Sequence, residues 1–167
     1  MTNGSTNDWP LEACALSYLR YDCQCLLVCS QRSPWEDGMR PDIVGVTLGR
    51  RVIEIEIKRT MADFRANQFK QRRWRYNSPW KYYFLVPPCL ADRALNELKE
   101  NEGLLTVAIN TEKYGLPLTY CLARAGLNDD AQPLSVALLT RMVRHNSATL
   151  CKLAAENWRL RQGFACK

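Results

Sequence analysis

The chain has 167 residues, 23 Lys and Arg against 17 Asp and Glu, a formal net charge of +6 and an apolar fraction of 47%. That length suits one domain with a sizeable core and is short for two, and no apolar run reaches the length of a membrane span. The basic balance, with an isoelectric point near 9.0, favours an anionic partner, of which nucleic acid is the commonest, although net charge alone also fits a membrane surface.

Met1 to Asp8 lacks the basic start and the apolar stretch of a secretory signal, so the expected location is the cytoplasm. Asp8-Trp9-Pro10-Leu11 opens a helix, with Asp8 in the capping region and Pro10 in the first turn. Leu11, Cys14, Ala15, Tyr18 and Leu19 continue it at helical spacing to about Tyr21. Cys23 to Ser30 then predicts a strand, in which Cys23, Cys25 and Cys29 share parity and read as small hydrophobes on one side. The eight cysteines include no C-x2-C pair of the zinc kind, and disulfides are not expected in a reducing cytosol.

A Pro, Asp and Gly-containing loop spans Gln31 to Arg40, and Pro41-Asp42-Ile43-Val44-Gly45-Val46 follows as a short apolar run opened by a carboxylate. Leu48-Gly49-Arg50 supplies a turn of hairpin type before a second run from Arg51 to Lys58. Thr60 caps a helix from Met61 through the mid-70s, which Pro79 stops. Lys81 to Val86 is a buried strand broken by Pro87-Pro88, Leu90 to Asn101 a helix, and Leu104 to Ile109 and Leu118 to Ala123 short strands. From Pro133 to Gln162 the pattern is helical, in one piece or in two separated near His145-Asn146-Ser147. The order of elements predicts an α/β fold, without internal repeats or a low-complexity linker.

The most informative stretch is Arg51-Val-Ile-Glu-Ile-Glu-Ile-Lys58, whose side chains alternate apolar and ionic from Ile53 onward. Successive strand residues point to opposite faces. Ile53, Ile55 and Ile57 therefore share a packing face, and Glu54, Glu56 and Lys58 line the other at a spacing of about 6.7 Å. Two carboxylates and an ammonium in line suit a divalent metal and a phosphate. If the turn centres near Leu48 and Gly49, antiparallel pairing brings Asp42 opposite residues close to Glu56, beside Lys58. A surface hairpin with an ordinary salt bridge is the bland alternative. The flanking aliphatics argue against it, because unpaired carboxylates on a largely buried strand are costly without a cation.

Pro41-Asp42 followed by Glu56-Ile57-Lys58 resembles the PD-(D/E)XK signature of the restriction-endonuclease-like nucleases. Arg59-Thr60-Met61-Ala62-Asp63-Phe64 and Tyr82-Tyr83-Phe84-Leu85-Val86-Pro87 further resemble the small MmcB-type DNA-repair nucleases, so the likeness runs roughly from Leu11 to Leu127. It implies a core of helix, three-stranded meander, helix and strand on a mixed central sheet over residues 1–127, with residues 128–167 as a C-terminal helical extension of the same domain. The implied activity is metal-dependent hydrolysis of DNA phosphodiester bonds, in repair, recombination or a mobile element. Mg²⁺ is the implied cofactor, with Mn²⁺ able to substitute.

Mg²⁺ needs only one or two carboxylates besides substrate phosphate. Asp42 and Glu56 supply them, and the resemblance adds the Ile57 backbone carbonyl. Lys58 sets an ammonium beside the attacking water, where it stabilises developing negative charge. Register makes Glu56 the motif residue, since Glu54 would require a Lys where Glu56 stands. Glu54, where the family usually carries an aliphatic residue, is left as a second-metal ligand or an ion-pair partner for an Arg. Glu12 is the candidate for the helix-one carboxylate that many of these enzymes add, and equally a first-turn Glu complementing the helix dipole. The tight C-terminal cysteine group that holds an iron–sulfur cluster in some of these nucleases is missing, because Cys151 and Cys166 stand alone.

Arg59, Arg65, Lys70, Arg72, Arg73 and Arg75 are interleaved with Phe64, Phe69 and Trp74 against the single acid Asp63. Basic side chains contact phosphates and aromatics stack on unpaired bases. Arg59, Thr60, Arg65, Lys70, Gln71, Arg72, Arg73, Trp74 and Arg75 are thus the expected nucleic-acid contacts, with Gln68 competing with Gln71 for the Gln that related nucleases carry after the motif. In the tail, Leu138, Leu139, Met142 and Val143, then Leu150, Leu153, Ala154 and Trp158, form apolar stripes that suit packing onto the core or pairing with a second copy. The lone His145 supports no nuclease class with a histidine base. The alternative from another class is a catalytically idle module holding nucleic acid or a protein partner on the same fold. Intact Asp42, Glu56 and Lys58 speak against it, while RNA-directed cleavage stays open.

Overall fold

The computed structural model describes residues 10–30, 41–69, 79–113 and 116–165. The alternating run is strand β3 (Val52–Ile57), antiparallel to β2 (Ile43–Val46), with Ile43 opposite Ile55 and Val46 opposite Val52. Leu48 and Gly49 do form the turn between them. The Arg50 N–H donates to the Thr47 carbonyl at 2.9 Å, and Arg50 adopts a φ of 59°. The Arg51 N–H donates to Thr47 Oγ1 at 3.1 Å, fixing the register where one strand hands over to the next. On its other side β2 pairs antiparallel with β1 (Leu27–Ser30).

β4 (Lys81–Val86) lies parallel to β3, β5 (Gly103–Lys113) parallel to β4, and β6 (Leu116–Ala123) closes the sheet antiparallel to β5. Among the described residues six strands stand in sequence order in one mixed sheet. Parallel neighbours require crossovers, which α2 (Met61–Phe69) and α3 (Ala91–Asn96) provide. Both crossovers step in the same direction along the sheet, so the right-handed rule puts both helices on one face. There Met61 and Phe64 of α2 and Ala91 and Ala94 of α3 bury against Tyr82, Phe84, Val86 and Leu104. Phe64 and Phe84 meet at a centroid distance of 4.7 Å and pin α2 to β4.

The opposite face belongs to α1 (Leu11–Ser17), which runs on into a π-helical turn at Tyr18–Asp22. Leu11, Cys14, Ala15 and Leu19 bury there with Ile43, Ile53, Ile55, Tyr83 and Leu85. Alternation along β3 and β4 thus feeds two cores. The odd-numbered residues pack under α1 and the even-numbered ones of β4 under α2 and α3.

Several boundaries differ from those expected, among them β5, which runs on to Lys113, and β6, which starts at Leu116. β1 begins at Leu27 rather than Cys23, because the π-turn closes through Cys23 N–H to the Tyr18 carbonyl at 3.0 Å and Cys25 N–H to the Leu19 carbonyl at 2.9 Å. Gln24 between them has a φ of 53°, so Cys23 and Cys25 cap the turn and do not share strand parity with Cys29. α3 ends at Asn96 instead of Asn101, where Glu97 leaves helical geometry with ψ near 3°. The end expected for α2 in the mid-70s lies outside the described residues.

By contact the chain divides into Met1–Pro133 and Leu134–Lys167, a boundary some residues after the one expected at 127. The second unit is α4 (Val136–Ala165), one uninterrupted helix. Ser135 caps it, its Oγ accepting the Leu138 N–H at 3.2 Å. Of the one piece or two left open by the sequence, the helix is one, unbroken at His145-Asn146-Ser147, where hydroxyls bond back to the preceding turn. Ser147 Oγ donates to the Val143 carbonyl at 3.0 Å and Thr149 Oγ1 to the His145 carbonyl at 3.2 Å. Among the described residues no helix is long and apolar enough to cross a membrane.

Candidate active site

The ionic face of β3 is the face toward α2 and α3, since Ile53 and Ile55 are committed to the core under α1 and Ile57 packs against it. Continuing the β2–β3 register by one pair sets Asp42 opposite Glu56. Asp42 ends the ladder with its own carboxylate, whose Oδ2 accepts the Ile57 N–H at 2.8 Å. This bond orients a half-buried carboxylate at the mouth of the hairpin, and among the described residues its other oxygen takes no hydrogen bond. Asp42 thus stands at the end of the hairpin that carries Glu56 and Lys58.

Lys58 follows β3 directly, its N–H donating to the Leu85 carbonyl at 2.9 Å, so the strand pairing with β4 fixes its backbone. It is only 6% exposed. An ammonium so removed from water needs counter-charge. Nζ lies 3.1 Å from Glu56 Oε2, with which it hydrogen-bonds, and 3.8 Å from Asp63 Oδ1. Asp63 comes from the first turn of α2, where Thr60 Oγ1 accepts its N–H at 3.1 Å and the Thr60 carbonyl accepts the Phe64 N–H at 3.0 Å. Sequence reading counted Asp63 as the lone acid of a basic run and missed this placement. The available signal was the Thr60-x-x-Asp63 capping spacing immediately after Lys58.

The other expected residues are more dispersed. Glu12 is exposed on α1, the helix that covers the opposite face of the sheet, and no hydrogen bond or ion pair joins it to Asp42, Glu56 or Lys58. Glu54 is half-buried one strand repeat away from Glu56, opposite Val44 and beside Tyr82. Arg59 is half-buried next to Lys58, and Thr60 is exposed as the α2 cap. Arg65, expected to contact nucleic acid, grips Glu97 in a two-pronged ion pair, with Nε donating to Oε2 at 2.8 Å. That bond, together with the charge of Arg65, holds the Glu97 carboxyl below its usual range, and Glu97 raises the Arg65 guanidinium in turn. Lys70, Gln71, Arg72, Arg73, Trp74 and Arg75 lie outside the described residues, and so does the Gln68 side chain.

Among the described residues no group of three or more His, Cys, Asp and Glu side chains gathers as a ready metal cage. What does converge is a pair of carboxylates on adjoining strands, Asp42 and Glu56, with the Ile57 peptide between Glu56 and Lys58. Two hard oxygen donors fit Mg²⁺, which keeps several waters and dispenses with an all-protein cage.

These features define a mixed α/β protein with a carboxylate and ammonium group at the end of a β-hairpin. No family model and no curated protein matches the chain. Among solved structures it is similar to the SPO1766 protein of unknown function from Silicibacter pomeroyi, with a TM-score of 0.65 and 19% identity. The likeness covers 93% of this chain and 96% of that one, and at such identity it concerns the fold alone.

Proposed function

We propose that the chain is a metal-dependent nuclease of the PD-(D/E)XK type that hydrolyses phosphodiester bonds in DNA. The observation that carries the reading is the convergence of Asp42, Glu56 and a 6% exposed Lys58 at one end of the β2–β3 hairpin. Asp42 and Glu56, with the Ile57 carbonyl, are the groups that would hold Mg²⁺. When bound, such a cation supplies Lewis acidity toward a phosphate oxygen and lowers the pKa of water.

The chain's own residues do the rest. Asp42 is kept in position by the Ile57 N–H, so its carboxylate needs no reorganisation to serve as a ligand. Lys58, withdrawn from water and steered by Glu56 and Asp63, presents a fixed positive charge where negative charge builds on the attacking oxygen and the phosphate. Arg59, directly after it, begins the basic run that would follow the phosphate backbone. Glu12 has no part in this reading beyond its place on the neighbouring layer.

The rival is an idle module that keeps the fold and the basic run to hold DNA, RNA or a protein. One observation favours it: Lys58 and Glu56 satisfy each other without any cation. Incubating plasmid and labelled oligonucleotides with the protein in Mg²⁺ or Mn²⁺ separates the two. The nuclease reading requires cleavage by the wild type and its loss in Lys58→Ala with DNA binding retained. Binding without cleavage under every metal condition supports the idle module. A panel of duplex, single-stranded, flap, junction and RNA substrates then identifies the preferred target.

A further inference from the structure

We propose that Asp63 is a positioning residue, a standing counter-ion that keeps the Lys58 ammonium in place when Glu56 turns to a divalent cation. The inference rests on the nuclease reading and deepens it. Lys58 Nζ is shared between two carboxylates, at 3.1 Å from Glu56 and 3.8 Å from Asp63. A carboxylate that ligates a dication has less negative charge to offer a neighbouring ammonium, and the dication itself repels that ammonium. With Glu56 as its sole partner, the buried Lys58 would lose its counter-charge at the moment its charge is needed. Asp63 removes this conflict.

Asp63 is fixed for the task by its surroundings. Its N–H is capped by Thr60 Oγ1 at 3.1 Å. The next residue, Phe64, is fully buried, its ring tilted against Phe84 at a centroid distance of 4.7 Å. The Asp63 carboxylate is half-exposed, and it belongs to α2 rather than to the hairpin that carries Asp42 and Glu56. With a cation bound, the hairpin carboxylates would hold it and the helix carboxylate would remain with the ammonium.

The test compares the wild type with Asp63→Asn, Asp63→Glu, Lys58→Met and Lys58→Met/Asp63→Asn. Asp63→Asn preserves volume and the capped N–H. Mn²⁺ affinity is read by calorimetry without DNA, and plasmid nicking rates supply kcat and KM. Asp63→Asn should weaken Mn²⁺ binding on the order of tenfold and lower kcat with KM for DNA unchanged, and Asp63→Glu should recover most of both. In the Lys58→Met background the effect of Asp63→Asn on Mn²⁺ should vanish, because Asp63 acts through Lys58. An unchanged affinity in Asp63→Asn, or an equal loss with and without Lys58, overturns the proposal while the nuclease reading stands. A wild type that neither binds Mn²⁺ nor nicks plasmid overturns both, a result distinct from the other two.

Discussion

Asp42 spends one carboxylate oxygen, Oδ2, on the Ile57 N–H at 2.8 Å, so a single side chain both closes the β2–β3 ladder and faces the proposed metal position. The two duties are separable by substitution. Asp42→Asn keeps a carbonyl oxygen for Ile57 and should leave thermal stability nearly unchanged. Asp42→Ala leaves that N–H without its acceptor and should cost about 1–3 kcal/mol. Mn²⁺ should raise the Tm of the wild type and of neither variant. If Asn and Ala destabilise equally, the charge of Asp42 and not its hydrogen bond holds the hairpin end, and a Tm shift surviving in Asp42→Asn moves the metal elsewhere.

The Glu56–Lys58 pair gives a stability prediction independent of any reaction. Side-chain exposures of 8% for Lys58 and 15% for Glu56 make it a nearly buried pair. Lys58→Met takes the ammonium away from Glu56, and the loss should approach the roughly 3–5 kcal/mol typical of broken buried pairs. Glu56→Gln/Lys58→Met should recover much of it, since the charge that remains, on Asp63, is half-exposed to water. Urea unfolding of the two single variants and the double variant measures the coupling. Additive losses would show that Glu56 and Lys58 do not rely on each other for burial.

Gly103 begins β5 where the sheet leaves no room for a side chain. A Cβ there would lie 2.3 Å from a ring carbon of Tyr83 and 2.7 Å from the Ala125 backbone nitrogen. Tyr83 is buried and Ala125 N belongs to the backbone, so neither yields cheaply. Gly103→Ala should therefore cost about 1–3 kcal/mol or more by overpacking, with the urea midpoint falling at an unchanged m-value. Gly49→Ala, in the hairpin turn with its nearest neighbour 4.0 Å away, is the matched control and should be nearly neutral.

The hairpin was legible in the sequence because two signals agreed: the period-two alternation of Ile53 to Lys58 and a Gly-containing turn at Leu48-Gly49. β4 emerged at its expected bounds, Lys81 to Val86, since a buried apolar run closed by Pro87-Pro88 has few alternatives. The π-turn was not legible. Cys23 and Cys25 carry strand-like spacing, and only the three-dimensional closure onto Tyr18 and Leu19 makes them caps. The pairing of Arg65 with Glu97 joins residues 32 apart and depends on α2 and α3 crossing on the same face, which a one-dimensional pattern does not display. Asp63 was hidden in the same way. Its helical spacing was visible, but its distance to Lys58 follows from where the chain turns after β3.

Cys25 supplies the pH prediction. Its fully buried thiol is pushed up to about 12, by burial first and by the nearby Cys23 next, against a smaller opposing effect of Arg20. The folded state therefore holds its proton more tightly than the unfolded chain, where a thiol titrates near 8.5. The resulting stability is complete below the unfolded value and is lost as pH rises from there toward about 12. Cys14, raised by burial, and Tyr18, raised most by burial, act in the same direction. Stability measured by urea unfolding should fall across this alkaline window, and Cys25→Ala should flatten part of the fall. Alkylation at about pH 8 offers a residue-level check, because the thiolate is the reactive species. Exposed Cys89, Cys121 and Cys151 should be labelled in the native protein, and Cys25 should be labelled only after denaturant is added. Equal labelling of Cys25 and Cys89 under native conditions would mean that the thiol beneath the π-turn is open to solvent.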